Sequence, residues 1–153
     1  MENYYYILMV FVLIIIIHFL FHISKFLYLK KVLLKQDIFI KGKFEGANER
    51  EKKTSQKAGE WIQEHQIEIK RVTLKTGIQD QRMSYMEPLG LGYAQSQSIT
   101  SLDNLLMLNP EVMGSAKEII KRAKGFYKIQ ALKSFNPLFW IEFFVFLPKE
   151  LLK

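Results

Sequence analysis

Two histidines, His18 and His22, are the only side chains that titrate near neutral pH in an apolar run from Tyr4 to Ile23. Their i, i+4 spacing puts both imidazoles on one face of a helix. Polar groups inside a bilayer face protein or water rather than lipid, because hydrocarbon cannot solvate them. The pair is therefore expected to contact another transmembrane helix in an oligomer. A proton path is a lesser alternative, and a metal site would require ligands from several copies. His22 lies less than one turn from Lys25 and can also be accommodated at the headgroups.

A second constellation is cationic. Lys117, Lys121, Lys124 and Lys128 recur along one helix face, with Arg122 beside them. Such a stripe suits anionic lipid or an anionic ligand such as a nucleotide, against the alternative of a plainly solvated face. Nucleic acid is disfavoured, because stacking platforms interleave aromatics with basic residues. Here 14 of the 21 aromatic residues fall in 1–30 and 135–147 instead.

The third candidate is Leu138 to Leu147 (LFWIEFFVFL), apolar except at Glu142. At about 15 Å if helical, it is too short to cross a bilayer. Phe139, Trp140, Phe143 and Phe144 predict a membrane-proximal segment, with a core helix or a partner-binding surface as alternatives. Glu142 then requires a partner, a Lys or one of the histidines.

Other chemistry is thin. The chain has no Cys, which removes disulfides, thiolate metal sites and cysteine nucleophiles. Gly90-Leu91-Gly92 ahead of Ser96, Ser98 and Thr100 lacks the lysine of a Walker loop and the third glycine of a dinucleotide fingerprint, so it reads as a polar loop. Lys70, Arg71, Asp80, Arg82 and Glu87 could form a polar site, although solvated strand faces have the same composition. No catalytic motif is found, and neither cofactor nor metal is expected.

The elements that must position these residues begin with a membrane helix. Twenty residues from Tyr4, at about 1.5 Å each, match a hydrocarbon core of about 30 Å. The run lacks a preceding Lys or Arg and a small-residue cleavage site, so cleavage as a signal peptide is not expected. Lys25, Lys30, Lys31 and Lys35 flank its far end, and Tyr4 to Tyr6 form an aromatic belt at the other. The positive-inside rule then predicts a single-pass protein with its N-terminus outside and its C-terminal domain cytoplasmic. Formal charge is +3 over residues 1–45, zero over 46–109 and +4 over 110–153, so the excess flanks the two apolar segments. Anionic headgroups explain that distribution better than a nucleic-acid-binding domain does.

Apolar residues interleaved with lysines carry the first helix past the bilayer as an amphipathic extension. Residues 36–44 have strand-like composition, and Asn48 caps a helix running to Gln66. Ile67 to Lys75 alternates as a strand, with a weaker partner at Met83 to Glu87. Thr100-x-x-Asp103 has capping-box spacing for a short helix, and Asn109-Pro110-Glu111 starts a longer one. The expected fold is α+β: 1–35 a transmembrane helix with its amphipathic extension, 36–134 a small mixed helix and strand domain, and 135–153 an apolar helical segment. The expected function is a non-enzymatic, membrane-anchored protein whose cytoplasmic domain self-assembles or docks a partner complex at the inner face. The alternative is a ligand-gated effector, in which that domain binds an anionic signal and the helices perturb the membrane.

Overall fold

The computed structural model describes residues 2–90 and 93–141. Three helices dominate: α1 (Glu2–Lys41), α2 (Glu49–Leu74) and α3 (Pro110–Lys133), with strands β1 (Arg82–Gly90) and β2 (Tyr93–Thr100) between the last two. A further helical turn spans 137–141. The chain divides into two compact units, Met1–Leu27 with Gly125–Lys153, and Tyr28–Lys124. Helices α1 and α3 each contribute to both.

The expected strand at 36–44 is instead the end of α1. Leu29, Val32, Leu33, Gln36 and Phe39 are all buried, and their spacing is that of one helix face. That burial overrides the strand-like composition of Ile38-Phe39-Ile40. Gly42 ends the helix where α1 meets α2, because a Cβ there would lie 2.2 Å from Ser55 Cβ and 2.7 Å from the Glu51 carbonyl oxygen. Ser55 Oγ donates to the Phe39 carbonyl at 2.7 Å, satisfying one of the acceptors that a helix C-terminus leaves open.

Helix α2 starts at the expected Asn48 cap. Asn48 Oδ1 accepts from Glu51 N–H, and Glu51 Oε2 accepts from Asn48 N–H, each at 2.9 Å. It does not give way to a strand at Ile67 but runs to Leu74. Ile67 and Ile69 would share a face in a strand, yet Ile67 is 85% exposed and Ile69 fully buried. Ala58, Ile62, Ile69, Val72 and Thr73 line the buried helical face instead. Gly77, with φ of 80°, sits in the turn that follows.

The sheet is one antiparallel pair in which Arg82 lies opposite Thr100 and Met86 opposite Ser96. Residues 88–90 and 93–100, expected as a loop and a helix start, thus belong to strands. Thr100 Oγ1 donates to Asp103 Oδ2 at 2.5 Å, but only the 3-10 turn Leu102–Asn104 follows, without a side-chain cap. Leu102 and Leu105 are buried, and α3 closes the 28–124 unit with Val112, Ala116, Ile119, Ile120 and Ala123. Asn109 Oδ1 caps α3, accepting from the N–H groups of Glu111 and Val112 at 2.9 and 3.3 Å.

Candidate functional site

In the unit formed by 1–27 and 125–153, the two histidines form a polar chain. His18 Nδ1 is 2.7 Å from Ser134 Oγ, and Ser134 is fully buried just beyond the end of α3. Ser134 Oγ also lies 3.3 Å from the Gln130 carbonyl, a second acceptor for its single O–H. His18 Nε2 and His22 Nε2 are 3.2 Å apart, so one of the two carries the proton that the other accepts. Trp140 Nε1–H donates to the Ser134 carbonyl at 2.8 Å. The histidines thus find polar partners within their own chain.

Aromatic contacts extend this cluster in a definite direction. The His22 ring meets Tyr127 at 5.8 Å, Phe19 meets Phe135 at 5.0 Å, His18 meets Trp140 at 5.4 Å, and Phe11 meets Trp140 at 5.8 Å. Advancing from 127 to 140 therefore means moving from residue 22 back to residue 11 of α1. Trp140 is 4% exposed, and Phe139 packs against His18 at 5.5 Å. Ile129, Leu132, Phe135, Leu138 and Ile141 are exposed. An apolar groove of about 340 Å³ lies between Ile14, Ile17, His18 and Phe21 on one side and Trp140 on the other. The expected site residues Glu142, Phe143 and Phe144 lie outside the described residues.

The 28–124 unit holds the cationic site, in a cleft of about 280 Å³. Helix α3 supplies Lys117, Lys121 and Lys124; α1 supplies Lys30, Leu33, Leu34 and Asp37, spaced i, i+3, i+4 and i+7 on one face. Lys117 pairs with Asp37, the single carboxylate in the lining. The five expected cations are thereby divided. Arg122 is exposed and pairs with Glu118, while Lys128 is exposed and belongs to the other unit. Lys30 and Asp37 were missed because a strand assignment at residue 36 breaks the α1 face that joins them.

The residues Lys70, Arg71, Asp80, Arg82 and Glu87, considered as a polar group on strands, are spread over a helix, a connection and a strand. Lys70 and Arg71 lie on α2, Asp80 in the following connection, and Arg82 and Glu87 on β1. Lys70 Nζ donates to both carboxylate oxygens of Asp103 at 2.7 and 2.6 Å. That bond, with the Thr100 hydroxyl, holds the Asp103 carboxyl below its ordinary pKa. Asp80 accepts from Leu102 N–H at 3.2 Å. Among the described residues no group of three or more His, Asp or Glu converges on a metal position. A concavity of about 1020 Å³ around residues 42–56 is larger than the cleft, but its charges are mixed, and Lys52 there pairs with Glu49.

Comparison with protein-family models, curated proteins and solved structures finds no match to the chain. The described residues define a structural class: helix-dominated, with a two-stranded antiparallel sheet and, among those residues, one N-terminal helix long and apolar enough to cross a membrane.

Proposed function

We propose that this chain is a non-enzymatic membrane-anchored protein whose compact 28–124 domain self-assembles or docks a partner complex at the inner face of the bilayer. The observation that carries this reading is the division of labour along α1. Its apolar part is exposed, with Leu8, Met9, Val10, Leu13, Ile17 and Leu20 each more than half accessible, and the same uninterrupted helix then supplies Leu29, Val32, Leu33 and Phe39 to the domain core. Exposed surface of that kind suits lipid and would be costly in water. The anchor is thus a structural member of the domain rather than a tether.

The descending contacts from Tyr127 to Trp140 support a second insertion. If α1 spans the bilayer through residues 4–23, residues paired with His22, His18 and Phe11 accompany it below the headgroups. The exposed Ile129, Leu132, Phe135, Leu138 and Ile141 then face lipid, and Lys128 and Lys133 snorkel. The polar chain of Ser134, His18 and His22 pairs both ring nitrogens of His18 and Nε2 of His22, leaving the buried His22 Nδ1 without a partner among the described residues, and the 340 Å³ groove beside His18 takes side chains from a helix of a second copy. A ligand-gated effector is the second reading, favoured by the lysine cleft, where α1 and α3 share one set of cations.

Orientation is tested with introduced cysteines, since the chain has none of its own. Asn3→Cys is expected to react with an impermeant maleimide on intact cells, and Lys57→Cys only after permeabilisation. The opposite pattern rejects the cytoplasmic placement. The mass of the detergent-solubilised full chain, read beside it, reports self-assembly, and a monomer leaves partner docking as the remaining role.

A further inference from the structure

We propose that the cleft formed by Lys30, Lys117, Lys121 and Lys124 binds a phosphomonoester dianion. This rests on the membrane-anchored reading only for the source of the phosphate, not for the binding itself.

Four lysines and one carboxylate line the cleft, and the carboxylate is already committed to Lys117. Three cations therefore remain in excess around a space of about 280 Å³. Like charges brought together from two helices repel, and an anion seated among them relieves that repulsion while gaining ion pairs with each. A singly charged group would leave the site strongly positive. A dianion comes closer to neutralising it, and a phosphate monoester presents three acceptor oxygens to several ammonium donors at once. Leu33 and the half-exposed Leu34 give the cleft an apolar wall, which suits a phosphate borne on an organic group better than a bare ion.

The second observation is position along the chain. Lys30 follows Ile23, the last residue of the apolar run, by seven residues of the same helix. Lysines so placed meet the headgroup layer of an inner leaflet, where each is worth about five-fold in affinity for an anionic surface. A lipid with a terminal phosphomonoester is thus one source of the ligand, and a soluble phosphomonoester such as a nucleoside monophosphate is the other.

The test uses the full chain in neutral detergent. Dissociation constants are measured for phosphatidic acid and phosphatidylglycerol in mixed micelles at equal surface charge, and for adenosine monophosphate without lipid. Phosphatidic acid or adenosine monophosphate is expected to bind, and Lys30→Gln with Lys121→Gln and Lys124→Gln to weaken it on the order of a hundred-fold. Removing three charges elsewhere, Lys53→Gln with Lys57→Gln and Lys75→Gln, should change it by no more than about two-fold at a Debye length of about 10 Å. Asp37→Asn, which removes no lysine, should tighten it about five-fold and keeps the test sound if the triple variant folds poorly.

Tight binding of adenosine monophosphate assigns a soluble ligand, and binding of phosphatidic acid alone assigns a headgroup; either supports the site. Equal losses in the two triple variants, phosphatidylglycerol binding as tightly as phosphatidic acid, or no binding of any probe overturns it. None of those failures alters the cysteine-labelling pattern, so the two readings fail separately.

Discussion

At the scale of single residues, close approach of backbones decides more than charge does. Gly42 and Gly59 both lie where α1 crosses α2, but their surroundings differ in how far they can yield. A Cβ at Gly42 would overlap Ser55 Cβ and the Glu51 carbonyl, whereas at Gly59 it would meet only the Phe39 ring at 3.0 Å. Backbone cannot retreat without unwinding α2, but a ring can rotate by a few tenths of an ångström. Gly42→Ala is therefore expected to destabilise the chain by about 1–3 kcal/mol, as overpacked sites do, and Gly59→Ala by distinctly less. Chemical denaturation of the two variants checks the order, and equal losses would show that the crossing has slack. The Asn48 cap was legible in the sequence because capping follows from a short local pattern. The glycine constraints were not, since they depend on Ser55 and Phe39 arriving from elsewhere. The pairing of His18 with Ser134 was hidden for the same reason: the sequence marked an imidazole in need of a partner, and 116 residues separate it from the one it has.

At the scale of elements, the same physics explains why the helices were only half read. Periodicity identified the starts of α2 and α3 correctly, because caps and prolines act locally. It lost the ends of α1 and α2, where β-branched residues and a short run of alternation imitate strands. What decides those segments is a buried stripe of period 3.6 that continues from the preceding turns, Leu29 to Phe39 in one case and Ala58 to Val72 in the other. Because the stripe begins before residue 36, so does the domain. A chain spanning residues 24–124 is expected to unfold cooperatively, while one spanning 36–124 is not. The shorter chain lacks Leu29, Val32 and Leu33, whose burial is worth about 1.5–3 kcal/mol each against a typical total of about 5–15 kcal/mol. Matching cooperative transitions for the two would show that the end of α1 only rests on the domain.

At the scale of the whole molecule, the apolar C-terminal segment is the point on which the membrane reading turns. Its composition left core, inner leaflet and partner surface open, and periodicity could not choose, since nine apolar residues around Glu142 look alike on every side. The contacts narrow the choice for the described part: Trp140 is buried against Phe11 and His18, so it lies beside the apolar run of α1 and not within the 28–124 core. If α1 spans the bilayer, Trp140 sits among acyl chains at a depth between Phe11 and His18. The chain has two tryptophans, and Trp61→Phe leaves Trp140 as the only one. In vesicles, its emission is then expected to be blue-shifted and to be quenched more strongly by lipids brominated along the acyl chain than by those brominated near the headgroup. Leu138 and Ile141, both more than half exposed on either side of it, provide the lipid contact that such short-range quenching needs. Stronger quenching from the headgroup region would place the segment at the interface, and α1 would then have to cross at a shallower register than residues 4–23. Emission insensitive to either lipid would remove this unit from the bilayer altogether, and the exposed apolar surface of α1 would need a protein partner in place of lipid.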